Sequence, residues 1–187
     1  MKKSIGAKTL IYPNPVLLVG SYDENNVPNL MAVSWGSICC SDPPCVAVSI
    51  RQARYTYNNI VQRKAFTVCI PTEDQVDIAD YCGIYSGRNE NKFEKNRLTA
   101  VKSDIVDAPY AEEFPLVLHC KLLQTNHLGV HTQFIGEILD VTVDERFLNE
   151  KGIPDIEKIK PIIYDYGTKT YYSVGSKLID SFSNIKR

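Results

Sequence analysis

No stretch of the 187-residue sequence approaches the roughly 18 consecutive apolar residues of a membrane-spanning helix. The best candidate, around Val16 to Val19, has the length of a strand. Nor does the apolar segment of a secretory signal follow the short basic start Met1-Lys2-Lys3, so a soluble, cytoplasmic protein with no membrane partner is expected. An excess of one charge is also missing. Lys+Arg 21 against Asp+Glu 22 leaves a net charge of -1, which offers no overall attraction for nucleic acid. Any anion must therefore be bound locally. Repeats, low-complexity tracts and linkers are lacking too, which predicts a single domain over residues 1–187.

Several chemical signatures are absent as well. The sequence contains neither a G-x-G-x-x-G nor a P-loop, which disfavours nucleotide binding on a Rossmann frame. His127 and His131 lie four apart, but no Cys-x-x-Cys or His-Glu-x-x-His accompanies them, so no metal site is expected. The cysteines, Cys39, Cys40, Cys45, Cys69, Cys82 and Cys120, sit mostly in apolar runs and read as buried, reduced thiols. No local signature marks any of them as a nucleophile paired with a histidine, and no catalytic residue is assigned.

What is present reads as mainly β structure. Val16 to Tyr22 predicts a strand, Asp23 to Asn26 a turn, and Asn29 to Cys40 a second strand. Ser41-Asp-Pro-Pro44 breaks the chain before Cys45 to Ile50 resumes as strand. Thr56 is placed to cap a helix running to about Lys64, and Ala65 to Ile70 follows as strand. Thr72 with Gln75 has capping-box spacing and opens a helix to about Cys82, with Gly83 as its stop. Gly83 to Asn91 reads as a functional loop. Leu116 to Leu123 and Gln133 to Val143 are further strands, Tyr171 to Val174 a short last one, and the tail from Lys177 a short helix. Many strands with few helices predict an antiparallel barrel with helical insertions rather than a doubly wound sheet.

Ser49-Ile50-Arg51 followed by Arg54-Tyr-Thr56 places hydroxyl and guanidinium groups beside a helix amino terminus, where unpaired N–H groups favour an anion. A capped helix with solvated arginines is the alternative reading. Cys82-Gly-Ile-Tyr-Ser86-Gly-Arg88 and Lys92-Phe93 add a second hydroxyl and basic segment, and two such segments suggest one anionic ligand. The sole tryptophan, Trp35, stands on the Asn29–Trp35 stretch, where an aromatic face could border a planar ring or fill the core.

These segments resemble the flavin reductase-like, flavin-mononucleotide-binding split-barrel family, near its flavoredoxin branch. The matching residues are Pro15 to Gly20, Asn29-Leu-Met with Ser34-Trp35, Ser41-Asp-Pro-Pro44, Ser49-Ile-Arg51 with Thr56, and Cys82-Gly with Ser86-Gly-Arg88 and Lys92-Phe93. Gly129-Val-His131, Phe134-Ile-Gly-Glu137 and Tyr171-Tyr-Ser-Val-Gly175 continue the match. Val130 and Asn91 depart from it, standing where acidic residues are usual. The resemblance implies an antiparallel Greek-key split β-barrel and a homodimer with FMN at the subunit interface. It implies a cofactor site made of Asn29, Ser34, Trp35, Ser49, Ile50, Arg51, Thr56, Ser86 and Lys92, with Tyr164 near the ring-side position and His131 at the Gly-x-His position. Electrons or hydride would pass through FMN, either to a redox partner protein or, in a reductase, from NAD(P)H as candidate donor. A flavin-binding module without turnover and a thiol or zinc protein are the other classes carried forward.

Overall fold

The computed structural model describes residues 1–181. Among the described residues are twelve strands: β1 Asn14–Pro15, β2 Leu17–Tyr22, β3 Pro28–Val33, β4 Gly36–Ser41, β5 Pro44–Arg51, β6 Ala65–Ile70, β7 Ala100–Lys102, β8 Pro109–Ala111, β9 Leu116–Leu128, β10 His131–Val143, β11 Ile162–Asp165 and β12 Thr170–Ser173. Four helices, α1 Tyr55–Arg63, α2 Val76–Ile84, α3 Lys92–Lys95 and α4 Ile156–Ile159, are inserted between them. Seven strands form one antiparallel sheet in the order β3-β2-β6-β9-β10-β5-β4. The two edge strands of this sheet, β3 and β4, are consecutive in the chain and joined by Ser34 and Trp35 alone. The sheet therefore curls until its edges meet there, and the Ser49 N–H donates to the Trp35 carbonyl at 2.8 Å, extending the β4–β5 ladder into this link. The result is an antiparallel split barrel.

Period-two alternation on β2 explains why every one of its residues is buried: Leu17 and Val19 face the barrel interior, while Leu18 faces a second core under α2 and α3. The interior is filled by Val46, Val48, Ile50, Phe66, Val68 and Phe134 among others. Gly136 on β10 is required by that packing, since a Cβ there would lie 2.5 Å from Cζ of Phe66.

The structure corrects several local expectations. The stretch Asn29 to Cys40 is two strands, because the chain turns at Ser34-Trp35 to pass from one sheet edge to the other. Helix α1 starts after Arg54, which has extended backbone angles, so Thr56 lies inside the first turn and does not cap it. The Thr72–Gln75 capping box forms, but it opens a 3-10 turn that runs on into α2. Gly83 lies within α2, packed against Ala32, and the helix ends at Ile84. Strands β9 and β10 extend beyond their expected ends into a long, partly exposed hairpin. Cys39 and Cys40 are exposed, unlike the other four thiols. Lys177 to Asp180 is not helical, and the rest of the expected tail helix lies outside the described residues.

One buried polar network carries a pH dependence. Ser103 Oγ accepts from the N–H groups of Ile105 and Val106, so its own proton is free to be donated to His119 Nδ1 at 2.8 Å. His119 Nε2 then donates to Thr142 Oγ1 at 3.0 Å, an arrangement that requires the neutral ring. Burial holds the His119 pKa below its ordinary 6.5, against an opposing pull from Asp140. A depressed folded value means that the unfolded chain takes the proton first. The network's contribution is thus complete above about 6.5 and is lost as pH falls below that value. Denaturant melts between pH 7 and 5 should show this loss, and His119→Gln should show a flatter profile with stability lower by about 1–3 kcal/mol at pH 7. A wild-type stability that does not change across this window would contradict the assignment.

Candidate functional site: an aromatic cleft joined to a cationic pocket

Where the barrel edges meet, the Ser34–Trp35 link, the carboxyl end of β5, α2 and the β11–β12 hairpin enclose a cleft of about 380 Å³. Its aromatic wall is built from elements distant in sequence. The Trp35 ring lies 4.5 Å from that of His131 and 5.7 Å from that of Tyr166, centroid to centroid. Tyr164 and Tyr171, paired across β11 and β12, have their rings 5.0 Å apart. Tyr171 donates its hydroxyl to Asp80 Oδ1 at 3.0 Å, and burial together with this carboxylate raises the phenol pKa. His131 is the cross-strand partner of Arg51 on β5. Burial and that guanidinium both lower the imidazole pKa, so the ring is neutral at physiological pH and presents one donor and one acceptor.

A second pocket of about 160 Å³ adjoins the first, sharing Met31, Arg54 and Gly83 with it. It is lined by Asn29, Thr56, Ser86, Gly87, Arg88 and Lys92, among others, which brings the two basic segments together. No side chain caps the amino terminus of α1, leaving its first N–H groups toward this side. Arg88 donates to the Ala53 carbonyl at 3.0 Å and its guanidinium lies 5.7 Å from the Tyr55 ring centre, tying the loop after α2 to the start of α1. Tyr55 is fixed in turn by donating to Asp23 Oδ2 at 2.6 Å.

Two residues are unusual in this pocket. Asn29 is 3% exposed, its Nδ2 donates to Thr56 Oγ1 at 2.9 Å, and its Oδ1 is buried with no hydrogen-bond partner. Lys92 is 2% exposed, and its ammonium donates to the carbonyls of Leu30 at 2.7 Å and Cys82 at 3.0 Å. Burial, reinforced by Arg54, pulls the Lys92 pKa down to about 8, although Cys82 opposes the shift. The lysine read from the sequence as part of a second basic segment is thus a buried charge under the pocket.

Gly87 seals this pocket's rim. A Cβ on it would meet Asn29 Oδ1 at 2.2 Å and Tyr55 Cδ1 at 2.7 Å, so the loop can lie here with glycine alone. Gly87→Ala should displace the loop and weaken any ligand of the pocket at least tenfold. Its thermal stability should change little, because the loop is largely exposed. Equilibrium titration beside a melting curve checks both halves of this expectation.

All eleven residues expected at the site from the sequence line one of the two pockets. Ser34, Trp35, Ser49, Ile50, Arg51, His131 and Tyr164 border the cleft, and Asn29, Thr56, Ser86 and Lys92 border the smaller pocket. Ile50 is a barrel-core residue, 1% exposed, so its contact with the cleft is through packing. Sequence reasoning did not assign Met31, Asp80, Gly83 or Tyr166 to the site. Asp80 and Gly83 lie one turn apart on α2, a signal available only once that helix is known to run past Cys82.

The sequence falls in a defined family. A family model described as "Flavin reductase like domain" matches residues 9–172, and the chain belongs to this family. Among solved structures it is similar to the flavoredoxin of Desulfovibrio vulgaris (Miyazaki F), with 52% identity, 98% of this chain and 99% of that chain covered, and a TM-score of 0.94. A flavoredoxin from Methanosarcina acetivorans is similar at 29% identity, with 98% and 97% of the two chains covered and a TM-score of 0.92. An uncharacterized protein of Archaeoglobus fulgidus is 36% identical over 146 residues, 78% of this chain and 80% of its own length. The chain is accordingly a redox protein of flavoredoxin or flavin reductase type.

Proposed function

We propose that the chain binds FMN, with the flavin ring in the aromatic cleft and the phosphate in the pocket between Thr56 and Lys92, and that it relays electrons through the retained cofactor. The observation carrying this reading is the continuity of the two pockets through Met31, Arg54 and Gly83. An aromatic wall leads directly into hydroxyls, guanidinium groups and a helix amino terminus, the sequence of environments that a ring, a polyol and a terminal phosphate require. The unpartnered Asn29 oxygen supports the fit. FMN carries ribityl hydroxyls next to phosphate oxygens, so the amide gains a partner in either of its two orientations.

When bound, FMN supplies the hydride and single-electron chemistry. The protein's part is to hold and shield it. Trp35, Tyr164 and Tyr166 exclude water from the ring, neutral His131 can hydrogen-bond its rim, and Arg51 and Arg54 set a positive field along the cleft. NAD(P)H or a redox partner protein is the proposed electron source. A single terminal phosphate site favours FMN over FAD.

Beside the cleft, and sharing Ser34, Trp35 and Ser49 with it, lies an apolar groove of about 740 Å³ bordered by Ile11, Leu17, Ile38 and Ile70. We assign a second copy of the chain to this groove, forming a homodimer whose partner supplies the missing wall of the flavin site. Sedimentation of the flavin-loaded protein should give a dimer, and a monomer that keeps its flavin would contradict this.

Dialysis followed by a reduction assay tests the relay. The protein should retain its yellow colour and be bleached by NAD(P)H or by a reduced partner protein. Ready loss of colour, followed by catalytic reduction of added FMN, would instead identify a flavin reductase that releases its product.

A further inference from the structure

We propose that Cys40 and Cys45 are a reversible dithiol–disulfide pair, a hydroperoxide-sensitive site on the hairpin formed by β4 and β5. The two are direct cross-strand partners in this antiparallel pair. Such partners have Cα atoms about 4.5–5.5 Å apart, inside the roughly 4.4–6.8 Å range of disulfides. The hairpin is closed immediately beyond them by the Ser41↔Pro44 pair, which holds the two strands together at that end.

A bulge selects among the three thiols. The register passes from Ile38↔Val46 to Cys40↔Cys45, so Cys39 and Cys40 both stand opposite Cys45. Cys39 lines the apolar groove and its thiol is directed to the Cys45 carbonyl at 3.6 Å. Cys40 is exposed, stands outside the groove, and donates to the Asp42 carbonyl at 3.3 Å. Cys45 is 2% exposed, and burial together with Cys40, Cys39 and Glu137 favours its protonated thiol. Cys40 is therefore the residue that meets an oxidant, and Cys45 the one that resolves it. Cys69, Cys82 and Cys120 are buried elsewhere, with thiol pKa values pushed up by desolvation.

The step balances with hydrogen peroxide as oxidant. The Cys40 thiolate attacks one peroxide oxygen, the O–O bond breaks, and sulfenic acid and hydroxide form, the hydroxide leaving as water once protonated. The Cys45 sulfur then attacks the Cys40 sulfur, the S–O bond breaks and water leaves with the Cys45 proton. Two electrons have passed from the thiols to peroxide, and a dithiol reductant returns them.

The test uses the full-length, flavin-loaded protein treated with hydrogen peroxide and then alkylated. Cleavage after arginine and lysine and before aspartate yields residues 23–41, carrying Cys39 and Cys40, and residues 42–51, carrying Cys45 alone. In wild type and in Cys39→Ser these fragments should stay joined, two hydrogens lighter than their sum, until reduced. In Cys40→Ser they should separate with Cys45 alkylated, while the flavin spectrum is unchanged. A link surviving in Cys40→Ser, over-oxidation of Cys40 without a link, or no reaction in wild type would each overturn the proposal.

Discussion

Lys92→Met is expected to weaken FMN binding by about ten- to hundredfold, the loss of a charge-assisted partner worth roughly 1.5–3 kcal/mol. Methionine keeps the length of the side chain but leaves the Leu30 and Cys82 carbonyls without their donor. Folding stability should therefore fall as well, by about 1–3 kcal/mol. The lysine also gives the binding a pH signature. Its ammonium has a pKa of about 8 in the free protein, and a bound phosphate would raise that value. Above about pH 8 binding must then take up a proton, so FMN affinity should fall by up to about tenfold per pH unit. In Lys92→Met this part of the pH dependence should vanish. Fluorescence titrations of both proteins from pH 7 to 9.5 check the prediction, and parallel profiles would remove Lys92 from the phosphate site.

The second large effect concerns the barrel that carries the cleft. Phe134→Ala should destabilise the protein by about 3–5 kcal/mol, because the ring is fully buried in the barrel interior and meets Tyr57 of α1 edge-on at 5.2 Å. Phe134 is paired with Val48, three residues from Arg51, and α1 begins just beyond. The cavity therefore loosens the packing of α1 and of β5 against β10, and with it the presentation of Thr56 and Arg51. Urea denaturation should show a lower midpoint, with weakened FMN binding alongside it. A loss below about 1 kcal/mol would mean that the interior repacks freely and does not position the site.

Much of this was legible in the sequence, and the exceptions have physical causes. Strands β2, β5 and β6 are short apolar runs flanked by turn residues, and burial on both faces makes such runs conspicuous. The division of Asn29 to Cys40 was hidden because Ser34-Trp35 contains neither glycine nor proline. The turn is imposed by barrel closure, a tertiary effect. The Gln124–His127 part of β9 is polar because it belongs to a partly exposed hairpin, so its alternation is weak. Gly83 was read as a stop, but a glycine ends a helix through its backbone geometry, whereas this one stays within α2, which runs on to Ile84.

The site was legible as two basic, hydroxyl-bearing segments, which the structure brings together in one pocket. The burial of Lys92 was not, since it depends on α3 docking against β3 and on the end of α2. The aromatic wall was legible only in part. Trp35 stood out as the sole tryptophan, whereas Tyr166 reaches it through the β11–β12 hairpin, whose position follows from pairing with β1.

The central claim is that an aromatic cleft and a phosphate pocket form one FMN site, and titrating the flavin-free protein with FMN and with riboflavin tests it most directly. The two ligands share the ring and ribityl chain and differ in the phosphate. The account predicts one FMN per chain, bound at least tenfold more tightly than riboflavin, with that advantage reduced in Lys92→Met. Equal affinity for the two flavins, or binding of neither, would contradict it.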